Sequence, residues 1–186
     1  NIFDIIRTYG VNIQKNIVLD KTCGRVNVQQ NMGFVRMAVP MEYPLLPIIR
    51  KFNKNEIVVR GLEQIQLFFP SELSNNDEFV NKYNVNVKPL MYTSDSSGLM
   101  FENYNLNPDP KNNPFLKSLN QPKKLVAVRS ERTSKETNLL SQLILVSDSR
   151  FLMDGAGGSS PENHILVFNS VDYLLGNMEL IKLRQK

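Results

Sequence analysis

The apolar residues of the chain recur at spacings that are typical of helices and of buried strands. Between Ile2 and Tyr9 they stand at helical spacing, and Gly10 follows where a left-handed helix end is expected. A second helix is predicted over residues 161–175, because helical spacing is again followed by a glycine, Gly176. Ser159 and Glu162 have the spacing of a capping box at its start.

Two continuous apolar runs, at residues 125–128 and 143–146, predict strands that are buried on both faces. The second run is followed by a glycine-rich loop, by the helix predicted over 161–175, and by a short apolar run at 180–183. We predict that the last run is a closing strand, which completes a βαβ unit with parallel strands. We therefore expect an α/β fold with a mostly parallel sheet flanked by helices.

The stretch from about residue 94 to residue 122 is rich in asparagine and contains four prolines, which predicts a long irregular insertion. We expect it to be a mobile or functional loop inside one domain, so that residues 1–186 form a single domain. The chain passes straight into its first helix. We therefore expect a piece of a longer protein whose membrane anchor lies elsewhere.

Composition and charge argue against several classes of function. The net charge is +4, and the basic residues are spread along the chain rather than clustered with aromatic residues, so no nucleic-acid partner is predicted. The single cysteine, Cys23, excludes an internal disulfide. With His164 as the only histidine, neither a multi-cysteine nor a histidine-rich metal site can form, and we predict no metal and no cofactor.

Short polar residues follow two of the predicted strands and are the candidate ligand-binding residues. Ligands gather at the carboxyl ends of the strands in an open parallel sheet, where Asp95 and Asp148 would orient a ligand hydroxyl or a cation. The alternative interpretation is that these residues end strands because they form turns. The candidates are Ser94, Asp95, Ser96, Ser147, Asp148 and Ser149.

Gly157, Gly158 and Ser159 are candidates for anion binding, because they precede the helix predicted over 161–175. Their loop has neither the G-x-G-x-x-G fingerprint nor a Gly-Lys-Ser/Thr sequence, so a flexible surface connection is the alternative. No pattern indicates nucleophilic catalysis. A G-x-S-x-G elbow is absent from the sequence, and we expect Cys23 and His164 to be structural.

Several segments share their order with a known pattern. Residues 3–20 resemble “LL..YGI.I..DLVLD”, residues 89–94 resemble “PLL.TS”, and residues 145–184 resemble “VVGDSDFL…N..LL.N.VDWL…LI.IR.K”. Together they resemble the auxiliary ABC-transporter domain, whose best-known members are the gliding-motility-associated, GldG-like proteins. The chain departs from that pattern with Arg150 in place of Asp and Tyr173 in place of Trp.

The resemblance implies a Rossmann-like fold, akin to glutamine-amidotransferase and flavodoxin-like domains, whose first strands lie upstream of this chain. It also implies a place on the extracytoplasmic (periplasmic) side of the bacterial inner membrane, with an anchor in the full-length protein. We expect a non-catalytic module that contacts ABC permease or ATPase subunits and envelope proteins. A solute- or glycan-binding domain that uses Asp95 and Asp148 is the second hypothesis, and a hydrolase on the same fold is the third.

Overall fold

The computed structural model describes residues 1–32 and 35–185, in which helices and strands alternate irregularly along the chain. The helices are α1 (Ile2–Thr8), α2 (Asp77–Tyr83), α3 (Pro161–Leu174) and α4 (Met178–Arg184). The strands are β1 (Val11–Ile13), β2 (Ile17–Asp20), β3 (Cys23–Met32), β4 (Val35–Ile49), β5 (Lys51–Phe52), β6 (Ile65–Gln66), β7 (Leu73–Asn75), β8 (Val85–Tyr92), β9 (Ser97–Met100), β10 (Leu125–Thr133) and β11 (Leu140–Val146).

The strands form four sheets, and within the described ranges every pairing is antiparallel. The central sheet has four strands in the order β11-β10-β8-β5. A long hairpin of β3 and β4 pairs with β6, while β1 pairs with β7 and β2 with β9. In those same ranges no helix combines the length and the apolar character needed to cross a bilayer.

The predicted Rossmann-like, mostly parallel sheet is wrong. Residues 125–128 and 143–146 do lie in strands, but β10 and β11 form an antiparallel hairpin in which Ala127 lies opposite Val146. Residues 180–183, predicted as a closing strand, lie in α4. The βαβ unit and the amidotransferase or flavodoxin-like fold built on it are therefore absent from the part of the chain that the structure describes.

The reason for this error is that the central sheet is covered on both faces. Ile144 and Val146 pack in one apolar cluster with Leu166 of α3. Val128 and Leu145 pack in a second cluster, with residues of α1, β1 and β7. An antiparallel hairpin with two covered faces carries the same continuous apolar runs as a parallel strand, so the runs do not determine strand direction.

The two helices predicted near the ends of the chain are confirmed as α1 and α3. The side chain of Asn1 accepts a hydrogen bond from the backbone N–H of Phe3 at 2.7 Å and caps α1. Gly10, after α1, has a φ of 72°. Here a glycine is required, because a Cβ atom would lie 2.6 Å from a methyl group of Val80.

The capping box predicted at the start of α3 is wrong. Ser160 is the residue at the N-cap, and its side chain makes no capping hydrogen bond. The Glu162 carboxylate instead accepts hydrogen bonds from the backbone N–H groups of Glu63 and Gln64, at 2.7 and 2.9 Å. Glu162 therefore fixes the start of α3 to the segment before β6 rather than to its own helix end.

The stretch at 94–122 contains local structure. It includes β9 and a 3₁₀ turn at Pro114–Lys117. Asn113 is fully buried, and its amide group donates hydrogen bonds to the carbonyl oxygens of Asn105 and Asn107, at 2.7 and 3.0 Å. The hydroxyl of Tyr43 in β4 donates to the carbonyl oxygen of Leu106 at 2.6 Å. These contacts hold the asparagine-rich part of the stretch against β4.

Candidate functional site

The two predicted groups of strand-end residues lie at the same end of the central sheet, where β8 and β11 terminate. β8 and β11 both pair antiparallel with β10, so their carboxyl ends flank the start of that strand. Tyr92 lies opposite Leu125, and Val146 lies opposite Ala127. Two strand spacings separate β8 from β11, which is roughly 10 Å. The structure thus brings both groups to the same end of the sheet, with β10 between them.

Ser94, Asp95 and Ser96 form a turn that is held by a buried carboxylate. The backbone N–H and the hydroxyl of Ser94 donate to the Asp20 carboxylate, at 2.5 and 2.6 Å. Asp20 is fully buried at the end of β2. Asp95 is exposed and pairs with Lys51, whose hydrogen bond holds the pKa of that carboxyl below its usual value. No pattern in the sequence indicated that Asp20 would hold this turn.

Ser147, Asp148 and Ser149 line a cavity of about 340 Å³ beside Phe68 and Phe69. Asp148 is buried, and its two carboxylate oxygens accept hydrogen bonds from the backbone N–H groups of Phe68 and Arg150, both at 2.6 Å. Burial raises the pKa of Asp148, although these backbone hydrogen bonds act in the opposite direction. Asp148 therefore fixes the turn after β11 to the segment after β6.

Asp95 and Asp148 do not converge on this cavity, because residues 94–96 are not part of its lining. Asp95 faces Lys51, and both oxygens of Asp148 are committed to backbone groups. Ligand binding by these strand-end residues stays a prediction.

Gly157, Gly158 and Ser159 form a short 3₁₀ turn that is packed against the chain before it. The N–H groups of Gly157 and Gly158 donate to the carbonyl oxygens of Arg150 and Met153, at 3.4 and 3.0 Å. A Cβ atom on Gly157 would lie 2.1 Å from the carbonyl oxygen of Phe151. These glycines therefore permit close backbone packing, and their N–H groups are already bonded inside the molecule.

Cys23 and His164 do not form a catalytic pair in the contacts of the described residues. Burial, and after it the nearby Glu42 carboxylate, raises the pKa of the Cys23 thiol to about 11. The thiol is therefore protonated at neutral pH. The Nε2 atom of His164 lies 2.7 Å from the carbonyl oxygen of Gly158.

A charged cluster that the sequence did not reveal joins β10 to the turn after β5 and to α3. The guanidinium of Arg129 contacts both Glu56 oxygens, at 2.7 and 3.2 Å, and Glu131 at 2.6 Å. It also lies over the Tyr173 ring. Although burial raises the pKa of Glu131, hydrogen bonds from Gln142, Arg129 and Tyr173 lower it overall. Among the described residues, no group of three or more His, Cys, Asp or Glu side chains could hold a metal ion.

Helix α3 places polar side chains inward. The Asn163 side chain accepts from the N–H of Gln66 at 3.1 Å and donates to its carbonyl oxygen at 2.9 Å. Asn169 donates to the carbonyl oxygen of Val58 at 3.0 Å and accepts from Arg184 at 3.0 Å. Arg184 also pairs with the largely buried Asp172. Because these inward groups are bonded to strands, turns and α4, the helix is fixed in place by polar contacts.

The opposite face of α3 is apolar and exposed, and we call it the α3 face. Phe168 is 56% exposed and Leu175, directly after the helix, is 69% exposed. Leu180 and Leu183 of α4 are exposed as well. An apolar patch of this kind marks an interaction surface more often than an isolated exposed leucine does. The α3 face consists of Phe168, Val171, Leu174 and Leu175.

The fold is a mixed helix and strand domain with antiparallel sheets, and its helix α3 carries an exposed apolar face. Residues 1–180 match the model of a family described as an ABC-type uncharacterized transport system. The chain belongs to this family and is an auxiliary component of an ABC-type transport system. No curated protein and no solved structure matches it.

Proposed function

We propose that this domain is a non-catalytic interaction module of its transport system, on the extracytoplasmic side of the bacterial inner membrane. In this proposal it couples subunits of an ABC transporter to an envelope protein, as a relative of the GldG-like proteins. The full-length protein carries the membrane anchor. Membership of a family of auxiliary transport components supports the choice of partner.

The proposal rests on the exposure of the apolar residues that form the α3 face. The apolar side chains of the α3 face are about half-exposed, so each forgoes roughly half of the about 1.5–3 kcal/mol that full burial would contribute. Burial of several such side chains in an interface recovers that free energy. Since Asn163 and Asn169 hold the helix rigidly from its inner side, little ordering entropy is lost on binding.

Site-specific photocrosslinking of the full-length protein in its own envelope tests the proposal. A benzophenone amino acid replaces Val171 in the α3 face, and the crosslinked partners are identified by mass spectrometry. We expect an ABC transporter subunit among them. We also expect Phe168→Ser to abolish the crosslink, while the melting temperature of the purified domain changes little.

The matched control is Leu139→Ser, in the turn between β10 and β11. Leu139 is 67% exposed, but it lies outside the α3 face. This variant should crosslink as the unaltered protein does. A crosslink that survives Phe168→Ser, or one that contains no transporter subunit, would contradict the proposal.

Placement on the extracytoplasmic side is tested separately. A cysteine at the exposed position of Lys135 is labelled with a membrane-impermeant maleimide in intact spheroplasts, in a Cys23→Ala background. We expect labelling without lysis. Labelling only after lysis would place the domain in the cytoplasm and refute this part of the proposal.

A further inference from the structure

A groove of about 1130 Å³ lies beside β1. Phe3 and Arg7 of α1 and residues 12–17 are part of its lining. Tyr104 lines it too, with its hydroxyl donating to the carbonyl oxygen of Lys15 at 3.3 Å. The rings of Phe3 and Tyr104 are both half-exposed. The α3 face contributes no residue to this groove.

The pairing of β1 leaves one row of its backbone groups unused. In the described part of the chain β1 pairs with β7 alone. The N–H of Gln14 donates to the carbonyl oxygen of Glu72, and the N–H of Asn76 donates to that of Gly10. Antiparallel hydrogen bonding alternates along a strand, so even-numbered residues face β7. Ile13 therefore directs its N–H and C=O to the opposite edge.

Residues 12–14 line this groove. Asn12, Ile13 and Gln14 are all part of the lining, together with Ser71 and Asn76 on either side of β7. The N–H and C=O of Ile13 face away from β7, so they are the backbone groups of this segment that are open to an added strand.

We infer that this groove binds an extended peptide segment of a partner protein, which adds to β1 as a further strand. Backbone hydrogen bonds to the N–H and C=O of Ile13 hold the peptide. An apolar peptide side chain packs beside Phe3. A peptide carboxylate lies beside Lys15, which is exposed and makes no ion pair among the described residues.

The hydrogen bonds that the amide side chains of the groove already make favour a peptide ligand over a saccharide. The amide of Gln14 donates to the Ser74 hydroxyl at 2.7 Å, and that of Asn76 donates to the Asn12 side chain at 3.1 Å. These amide groups are therefore already engaged by neighbouring side chains. The N–H and C=O of Ile13 have no backbone partner among the described residues, and they match the backbone of an extended chain.

Selection from a phage-displayed library of random nonapeptides on the purified chain tests this inference. We expect enriched peptides with alternating apolar and acidic residues. Their synthetic forms, measured by fluorescence anisotropy, should bind at least tenfold more weakly to Ile13→Pro. That substitution removes the outward N–H and leaves the bonds of its neighbours to β7 intact. Lys15→Glu should weaken binding similarly.

The matched control for Lys15→Glu is Lys135→Glu, which makes the same charge change at an exposed position away from the groove. This variant should bind the peptides within about twofold of the unaltered chain, because it lies outside the contacts. A second test leaves the protein unaltered. Two versions of the peptide are made, one N-methylated at the odd-numbered residues and one at the even-numbered residues. Only every second N–H of an added strand faces β1, so one version should lose binding and the other should keep it. Failure to enrich any peptide, or equal binding by both N-methylated peptides, would overturn the inference. Binding of triacetylchitotriose that is lost in Tyr104→Ala would also overturn it and assign the groove to a saccharide.

Discussion

The carboxylate of Asp148 and the thiol of Cys23 illustrate how burial determines what a single side chain can do. Asp148 resembles a ligand-binding residue in the sequence, yet both of its oxygens accept backbone hydrogen bonds. Cys23 is the only thiol, and burial raises its pKa, so it stays protonated to a higher pH than an exposed thiol does. At this scale the environment of each group, rather than its type, determines its role.

Asp148→Asn should destabilise the domain by about 1–3 kcal/mol, because the new amide directs N–H toward one of two backbone donors. Chemical denaturation at neutral pH measures the change. The neighbouring Ser149→Ala, at an exposed position, should change the free energy of unfolding by less than about 0.5 kcal/mol. An Asn variant as stable as the unaltered chain would show that these two hydrogen bonds contribute little.

Cys23 should react slowly with iodoacetamide. Its pKa is raised from 9.0 to about 11, so at pH 8 the folded chain holds about 100-fold less of the reactive thiolate than the unfolded chain. The alkylation rate should therefore keep rising between pH 9 and pH 11. Glu42→Gln removes a charge that raises this pKa, so it should speed the reaction. Equal rates for the folded chain and the chain in guanidinium would refute the assignment.

At the scale of elements, Gly157 shows how a turn can depend on the absence of a side chain. A Cβ atom there would lie 2.1 Å from the carbonyl oxygen of Phe151 and 2.7 Å from the amide nitrogen of Asn163. Gly157→Ala should therefore cost about 3 kcal/mol or more and displace the start of α3. Differential scanning calorimetry measures the loss.

Gly155→Ala is the matched control for that prediction. Gly155 has a φ of 75°, but a Cβ atom would meet nothing within 4 Å. Only backbone strain of about 1–2 kcal/mol is expected. A larger loss at Gly155 than at Gly157 would mean that conformation, rather than crowding, governs this turn.

Local signals in the sequence predicted the elements better than their arrangement. α1 and α3 were predictable because Gly10 and Gly176 mark their ends. The apolar runs predicted β10 and β11, but a run carries no information on strand direction. The run at 180–183 is short enough to suit either a helix or a strand, and packing of Ile181 against the core favoured the helix.

The candidate site was predictable only in part. The two strand-end groups do lie at the same end of the central sheet. The sequence could not show that Asp95 faces Lys51 while Asp148 holds a turn. The α3 face is hidden in the sequence, because α3 carries apolar residues outside and asparagines inside. Inward asparagines can be recognised only once their partners, such as the backbone of Gln66, are in place.

At the scale of the whole molecule, Arg129 connects the central sheet to two other parts of the fold. Arg129→Met should destabilise the domain by about 3–5 kcal/mol, because it leaves the buried Glu56 without its partner. The double variant Arg129→Met and Glu56→Leu should recover most of that loss. Urea denaturation of the three chains measures both effects. A double variant no more stable than the single one would show that the charge pair itself stabilises the fold.

Selection for yield of the isolated chain and selection for transport in the cell should favour different residues at the exposed apolar positions of α3. Polar residues at Phe168 and Val171 would make the isolated chain easier to express and concentrate, since these side chains contribute little to its folding free energy. In the cell, the same replacements would remove the surface on which the proposed association depends. Directed evolution for yield in the test tube and for transport in the organism should therefore rank one set of variants in opposite orders.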